Sequence, residues 1–250
     1  MTDVVSRPVP PSDAVTTIEA LEAIYDVSSA LVSEKETRVV TPLQARYIEE
    51  APLVMLATSG PEGLDCSPRG DPAGFVRIVD EHTLQLPDRR GNNRLDSLRN
   101  IVVDPRVGLL FVIPGLGTTL RVNGTAVLRT DPHLLMTFAI DGKPPRTVLE
   151  ITVEAVYTQC QKAMIRSKVW DPQTFRRPEE LPTLGAIMHQ ITQGRFDGDA
   201  YDAAAEDHRT WAVRERDLVL LVVVEAEGEE RADGLTAGSL VGLGGYLRGY

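Results

Sequence analysis

The architecture of this chain is clearest in one segment, Val107-Gly-Leu-Leu-Phe-Val-Ile-Pro-Gly-Leu-Gly-Thr-Thr-Leu-Arg-Val-Asn-Gly-Thr-Ala-Val-Leu128. Its first part, residues 107–113, is continuously apolar, which is typical of a strand that is buried on both faces. After a Pro-Gly turn, apolar and polar residues alternate over 118–128, with Thr119 among the polar ones. Alternation indicates a strand with one face in contact with solvent. The segment therefore predicts two neighbouring strands joined by a turn.

Further short β-rich runs lie on both sides of this segment and are bounded by Gly, Pro and Asp. They are predicted at residues 52–58, 74–79, 83–87 and 148–156. Between the third and fourth strands, residues 92–103 return to helical spacing and end before Asp104-Pro105. The prediction is a mainly β fold with flanking helices. Its six or so antiparallel strands would form a closed or nearly closed barrel, which removes open sheet edges.

Helices are also predicted outside the sheet. Thr41 as N-cap and Pro42 in the first helical position indicate one of them. Helical periodicity predicts the others at residues 18–25, 160–169, 183–193 and 203–213. The predicted organisation is a flexible lead over 1–14, a domain with helical extensions over 15–210, and a strand-like segment with a glycine-rich tail over 211–250.

The bulk composition excludes several classes of function. The 250 residues carry 26 basic and 36 acidic side chains, a formal net charge of −10. A surface this acidic repels nucleic acid and anionic lipid. The longest strongly apolar run, residues 218–224, is too short to span a bilayer, and the polar start lacks a secretory apolar segment. With two cysteines, Cys66 and Cys160, and no disulfide framework, we expect a cytoplasmic protein.

One segment carries a chemical signal, Leu86-Pro-Asp-Arg-Arg-Gly-Asn-Asn-Arg94. Arginine is a forked donor that matches phosphate oxygens, and the start of a helix offers unpaired N–H groups and a positive dipole end. Asn92 or Asn93 could cap that helix or donate to the anion. In an acidic chain, the segment suggests a held phosphate monoester. The alternative is a solvated turn whose arginines pair with Asp88 and Asp96.

A second polar segment, Cys66-Ser-Pro-Arg-Gly-Asp-Pro-Ala-Gly74, reads as a turn between two strands. Its Ser67, Arg69 and Asp71 could line a mouth beside the phosphate. Other chemistries leave little trace, because the four histidines are scattered, no Cys-x-x-Cys occurs, and no Walker loop or Gly-x-Ser-x-Gly elbow is present. We expect no metal site, and the sequence indicates no catalytic dyad.

These segments together resemble the pyridoxamine 5'-phosphate oxidase-like flavoproteins, and within them the FMN-dependent proteins of unassigned substrate. The resemblance rests on Cys66–Pro72, Gly74–Asp80, Pro87–Asn100, Gly108–Gly115 and Thr119–Gly124, in this order, and covers roughly residues 15–200. It implies a split β-barrel whose homodimer interface holds two FMN molecules. It also implies an oxidoreductase that acts on a small molecule, with no nucleic acid or membrane as partner.

The resemblance assigns cofactor contacts to particular positions. Pro87, Asp88, Arg89, Asn92, Asn93 and Arg94 would hold the FMN phosphate, and Arg69, Gly70 and Asp71, with Ser67, would lie near the flavin or its ribityl chain. Thr119 would approach the phosphate or ring edge. The segment 160–170, with Arg166 and Trp170, would reach the partner's cofactor.

This chain also departs from the family pattern. Thr158-Gln159 stands where an aromatic residue and a histidine are expected, and the substrate-binding Arg-x-His element is not recognisable, which argues against pyridoxamine phosphate oxidation itself. The alternatives that stay open are a deazaflavin-dependent reductase and a non-catalytic protein that binds flavin or haem.

Overall fold

The computed structural model describes residues 11–29 and 34–204. It divides into two compact units, with the boundary between Thr174 and Phe175. That boundary lies inside the range 15–210 predicted for one domain. Most of the predicted lead, most of the 203–213 helix and the whole 211–250 tail lie outside the described residues. None of the described helices combines the length and apolar character needed to cross a membrane.

The first unit is built on one antiparallel sheet of eight strands. They are β1 Glu36–Thr37, β2 Leu53–Gly60, β3 Gly63–Gly70, β4 Arg77–Asp80, β5 Thr83–Asp88, β6 Arg106–Val112, β7 Thr119–Arg129 and β8 Thr147–Gln159. The order is β3-β2-β6-β7-β8-β5-β4, and β1 pairs with β8. Over the described residues the path of strands does not close on itself. The mainly β antiparallel fold is confirmed, with more strands than predicted.

Helices flank the sheet at its connections. They are α1 Ile18–Glu22, α2 Pro42–Glu49, α3 Asp96–Val103, α4 Pro132–Met136 and α5 Lys162–Ser167. Two single 3₁₀ turns follow, Pro172–Thr174 in the first unit and Pro178–Glu180 in the second, which also contains α6 Leu184–Ile191. The predicted N-cap is confirmed: Thr41 accepts from the backbone of Gln44, whose side chain accepts in return from the Thr41 N–H.

The sheet encloses an apolar core that the sequence pattern largely predicts. Its fully buried side chains come from both halves of the β6–β7 segment and from the neighbouring strands, among them Leu56, Leu84, Leu109, Phe111, Leu120, Val122, Leu149 and Ile151. The prediction that Thr119 faces solvent is wrong, because Thr119 is only 6% exposed. The first two residues of β7 are buried on both faces of the strand, so alternation of polarity does not report exposure there.

The polar segment 66–74 is not simply a turn, as predicted, because its first five residues belong to β3. This strand pairs only with β2, with Pro68 opposite Met55. Proline lacks an N–H donor and is tolerated in an edge strand, where one side has no partner. Pro68 and Gly70, two of the residues that indicated a turn, thus belong to a polar edge strand. Exposure alternates along β3, so Asp65, Ser67 and Arg69 share its less exposed face.

Helix α3 begins later than predicted, at Asp96 instead of Asn92. The asparagine pair does not cap it. Asn92 accepts a hydrogen bond from the Arg94 N–H at 2.9 Å, and Asn93 has the left-handed φ of 59° that asparagine tolerates. Residues 89–94 therefore form a loop between β5 and α3, and Leu95, at the N-cap, makes no side-chain capping bond.

A prediction about pH follows from the link between α3 and β6. Hydrogen bonds from the side chain and backbone N–H of Arg106 lower the pKa of Asp104 from its ordinary 3.8 to about 2. The contribution of the ionised carboxylate to stability is thus fully present above pH 3.8 and is lost as pH falls through about 2. A carboxyl ¹³C NMR titration should give Asp104 a midpoint well below those of exposed aspartates. A midpoint near 3.8 would show that the Arg106 contact does not persist in solution.

Candidate functional site

A cavity of about 1020 Å³ lies in the first unit. Four elements form its wall: one face of β3, the loop after β5, helix α3 and the start of β8. Its lining includes Asp65, Ser67, Arg69, Gly70, Phe75, Pro87–Arg99, Val102, Val103, Leu128, Arg146 and Thr147. Its volume is at the upper end of the range for sites that bind a drug-sized ligand or cofactor.

The fold brings the two polar segments identified in the sequence to this one cavity. Ser67, Arg69 and Gly70 come from β3, Pro87 and Asp88 from the end of β5, and Arg89, Asn92, Asn93 and Arg94 from the loop after β5. Asp71 does not line the cavity, but its carboxylate accepts a hydrogen bond from Arg89 Nε at 2.6 Å. Two strands that are distant in the sheet order therefore supply one continuous polar wall.

Three other residues assigned to the cofactor do not line this cavity. Thr119 lies at the opposite end of β7 from the cavity residue Leu128, roughly 30 Å away along the strand. Arg166 belongs to α5. Trp170 follows that helix and donates its indole N–H to the Leu116 carbonyl at 2.8 Å. A single copy of the chain does not bring these three residues together with the arginine-rich wall.

Carboxylates hold three of the cavity's arginines in place. Arg69 donates from Nη1 to Asp88 at 2.6 Å, and Arg89 donates from Nη1 to the Phe138 carbonyl at 2.5 Å in addition to its bond with Asp71. Both guanidinium groups are at least two-thirds buried, so their orientation is determined by the protein. Arg94 is 78% exposed and donates to Asp96, which raises the pKa of Arg94. Arg69 and Arg89 are therefore held by the protein, whereas the Arg94 side chain is largely exposed to solvent.

Ser97, which the sequence analysis missed, connects β3 to α3 beneath this wall. It is 3% exposed. Its hydroxyl oxygen accepts from Arg69 Nη2 at 3.1 Å and lies 3.0 Å from the Ser67 hydroxyl, while its proton is donated to Asp65. No motif indicated this role. A polar residue among the apolar positions of a short helix is a weak signal, and its partners are some thirty residues away in the sequence.

Positive charge exceeds negative charge at the cavity. Six of its lining residues are arginines, and the only lining acids are three aspartates. When Asp71 is included, because it pairs with Arg89, a surplus of two positive charges remains. Among the described residues, Arg90, Arg99 and Arg146 have no carboxylate within ion-pair distance. In a chain whose formal net charge is −10, this surplus indicates a site for an anion.

Two buried polar atoms at the cavity wall have no hydrogen-bond partner in the described part of the chain, Arg69 Nε and Thr147 Oγ1. A buried donor without a partner costs about 1–3 kcal/mol, so such atoms are uncommon and usually have a functional reason. Both belong to residues that line the cavity. These two donors therefore lie in the wall of the cavity, just beneath its surface.

The opposite side of the cavity is apolar. Phe75, Leu95, Leu98 and Leu128 contribute to it, together with Val102 and Val103, which are 73% and 63% exposed. Large aliphatic side chains left open to solvent beside a polar wall suit a ligand with a flat apolar portion. The cavity thus combines an apolar surface with donors for an anionic group.

The arrangement favours binding of a cofactor over acid–base chemistry by side chains. No histidine of the described residues lines the cavity, and these residues contain no cluster of three His, Cys, Asp or Glu side chains that could hold a metal ion. The polar groups present are guanidinium, hydroxyl, amide and carboxylate groups, which bind and orient an anion.

Comparison with known proteins gives a family match. Residues 40–160 match the sequence model of a family described as pyridoxamine 5'-phosphate oxidase. This segment contains the whole sheet except β1, and every residue that lines the cavity. No curated protein matches the sequence of the chain.

Similar solved structures cover about half of the chain. HupZ of Group A Streptococcus is 23% identical over 48% of this chain and 94% of its own, with a TM-score of 0.40. A Clostridium acetobutylicum protein related to general stress protein 26, of the pyridoxinephosphate oxidase family, is 18% identical over 47% and 86%, with a TM-score of 0.36. An FMN-binding protein from Syntrophomonas wolfei subsp. wolfei is 11% identical over 51% and 88%, with a TM-score of 0.36.

Proposed function

Because residues 40–160 of this chain form a domain of the pyridoxamine 5'-phosphate oxidase-like family, we propose that the cavity binds FMN through its phosphate and that the protein is an FMN-dependent oxidoreductase. The observation that carries the proposal is the surplus of two positive charges at the cavity of a strongly acidic protein. A phosphate monoester carries a charge of about −1.5 to −2 at neutral pH, which this surplus balances.

The residues present fit the two parts of FMN. Arg69, Arg89 and Arg90, with the asparagines of the loop, would hold the phosphate by charge-assisted hydrogen bonds. The apolar wall of α3, including Val102 and Val103, would lie against the isoalloxazine ring. Bound FMN would supply the acceptance and release of a hydride equivalent, which no side chain of this cavity provides.

The chain's own residues would act by binding and orientation. Asp88 and Asp71 fix the directions of the Arg69 and Arg89 guanidinium groups before a ligand binds. Such preorganisation lowers the entropic cost of binding. Ser97 ties Arg69 to α3, which connects the polar wall to the apolar wall through one buried hydroxyl.

The proposal includes a homodimer with the cofactor at the interface and a small-molecule substrate, in the cytoplasm. Thr119, Arg166 and Trp170 do not line the cavity of their own copy, and in the proposed dimer they would approach the cofactor of the other. Both cysteines are exposed and unpaired, which suits a reducing compartment. Sedimentation velocity with and without FMN would measure the oligomeric state, and a monomer in both conditions would contradict the dimer.

The first test is the spectrum of the full chain purified without added cofactor, followed by mass identification of any released chromophore. An oxidised-flavin spectrum with the mass of FMN supports the proposal, and bleaching of that spectrum by a nicotinamide donor would support the oxidoreductase activity. A deazaflavin or haem chromophore would support one of the alternatives instead. A colourless protein that also takes up no added FMN contradicts the proposal.

A further inference from the structure

We infer that the start of β8 completes the phosphate site, with Arg146 and Thr147 as ligands that make the protein prefer a phosphate monoester over the uncharged form of the same molecule. This inference rests on the proposed function, since it concerns the same cavity. It adds two residues that lie about fifty positions after the arginine-rich loop and outside every motif identified in the sequence.

The pairing of β5 with β8 places these residues beside the loop. The ladder runs from Thr83 opposite Thr152 to its last pair, Asp88 opposite Thr147. Arg89 and Arg146 are the next residues outward on the two strands. The chain from β5 into the arginine-rich loop and the chain entering β8 therefore meet at one end of the sheet, and all four residues line the same cavity.

The two buried polar atoms without partners lie around Asp88. Thr147, whose Oγ1 is one of them, is the cross-strand neighbour of Asp88, and Arg69, whose Nε is the other, donates from Nη1 to the Asp88 carboxylate. Opposite residues of an antiparallel pair project to the same side of the sheet. Both donors therefore lie beside the one carboxylate of Asp88, and a phosphate bound there would reach them once the side chains that cover them shift.

Charge favours this end of the cavity over the start of α3. The first residue of α3 is Asp96, whose carboxylate pairs with Arg94, so that end already carries a negative charge and its arginine is engaged. Arg146, by contrast, is exposed and has no carboxylate within ion-pair distance among the described residues. The FMN phosphate would therefore be attracted more strongly by Arg146 than by the start of α3.

The test measures the dissociation constants of FMN and of riboflavin, which lacks the phosphate, on the cofactor-free full chain. In the wild type, FMN should bind more tightly than riboflavin. We expect Arg146→Gln to reduce this preference by about ten- to a hundredfold and Thr147→Val by about three- to tenfold. Riboflavin affinity should change little in either variant. Thr147→Ser, which keeps the hydroxyl group, should retain the wild-type preference for FMN.

Arg38→Gln is the matched control, because Arg38 is likewise exposed and without a carboxylate at ion-pair distance among the described residues, but does not line the cavity. It should retain the preference for FMN. Thermal unfolding checks that each variant folds, and the exposed Arg146 makes a folding defect in Arg146→Gln unexpected. If the wild type binds FMN and both β8 variants retain its preference over riboflavin, the inference is overturned and the proposed function stands. If the wild type binds neither flavin, the proposed function itself fails.

Discussion

Replacing Arg89 by alanine is expected to weaken FMN binding by about ten- to a hundredfold, since a charge-assisted hydrogen bond contributes roughly 1.5–3 kcal/mol. Arg89 is the arginine of the loop that the protein holds most firmly, through the Asp71 carboxylate and the Phe138 carbonyl. Its removal would also leave the Asp71 carboxylate without its counter-charge, which reduces the positive surplus at the cavity. Fluorescence quenching of FMN on titration with the cofactor-free protein measures the change.

Arg94→Ala should have a smaller effect on the same measurement. Its side chain is 78% exposed and engaged with Asp96, so it gives up a formed contact and side-chain freedom to bind phosphate. Arg106→Ala is the matched control, because that exposed arginine pairs with Asp104 and does not line the cavity. Equal FMN affinity in the wild type, Arg89→Ala and Arg94→Ala would show that this loop does not hold the phosphate.

Gly124→Ala is expected to destabilise the sheet strongly. A Cβ at this position would lie 2.0 Å from the Thr152 carbonyl oxygen and 3.4 Å from Val153 Cα, both of them backbone atoms. Gly124 stands at the irregularity where the register between β7 and β8 shifts. Because a backbone neighbour cannot rotate away, the two strands must separate. We expect a loss of roughly 3 kcal/mol or more, with a fall in Tm of about 6–12 °C.

Gly108→Ala is the control for the general effect of replacing a strand glycine. Gly108 lies in β6, next to β7, and its added Cβ would meet Asn123 Oδ1 at 3.6 Å and Ala57 Cβ at 3.8 Å, which are ordinary contacts. Its Tm should stay close to that of the wild type or rise slightly, since alanine reduces the entropy of the unfolded chain. Similar falls in Tm in the two variants would show that the close approach of Gly124 to the Thr152 backbone is not the cause of the destabilisation.

The successes and errors of prediction have identifiable causes. The strands with strong apolar patterns, β2 and β5 to β8, were found within a few residues of their bounds, and so was the Thr41 cap. β3 was missed, because an edge strand that buries little needs no apolar residues and can contain Pro68. The start of α3 was misplaced because asparagine is favoured both as a cap and in left-handed turns, and here Asn93 adopts the turn.

By itself the sequence determined that the chain forms a mainly antiparallel β fold with flanking helices, because burial of alternating or continuous apolar residues leaves few other arrangements. It also identified the arginine-rich loop, since residue type and local spacing carry that information. Only the tertiary structure decided that β3 and the arginine-rich loop form one polar wall, that Ser97 connects Arg69 to α3, and that Arg146 and Thr147 stand beside Arg89. Those relations depend on which strands pair, and strands that are distant in the sequence find their partners only in the assembled sheet.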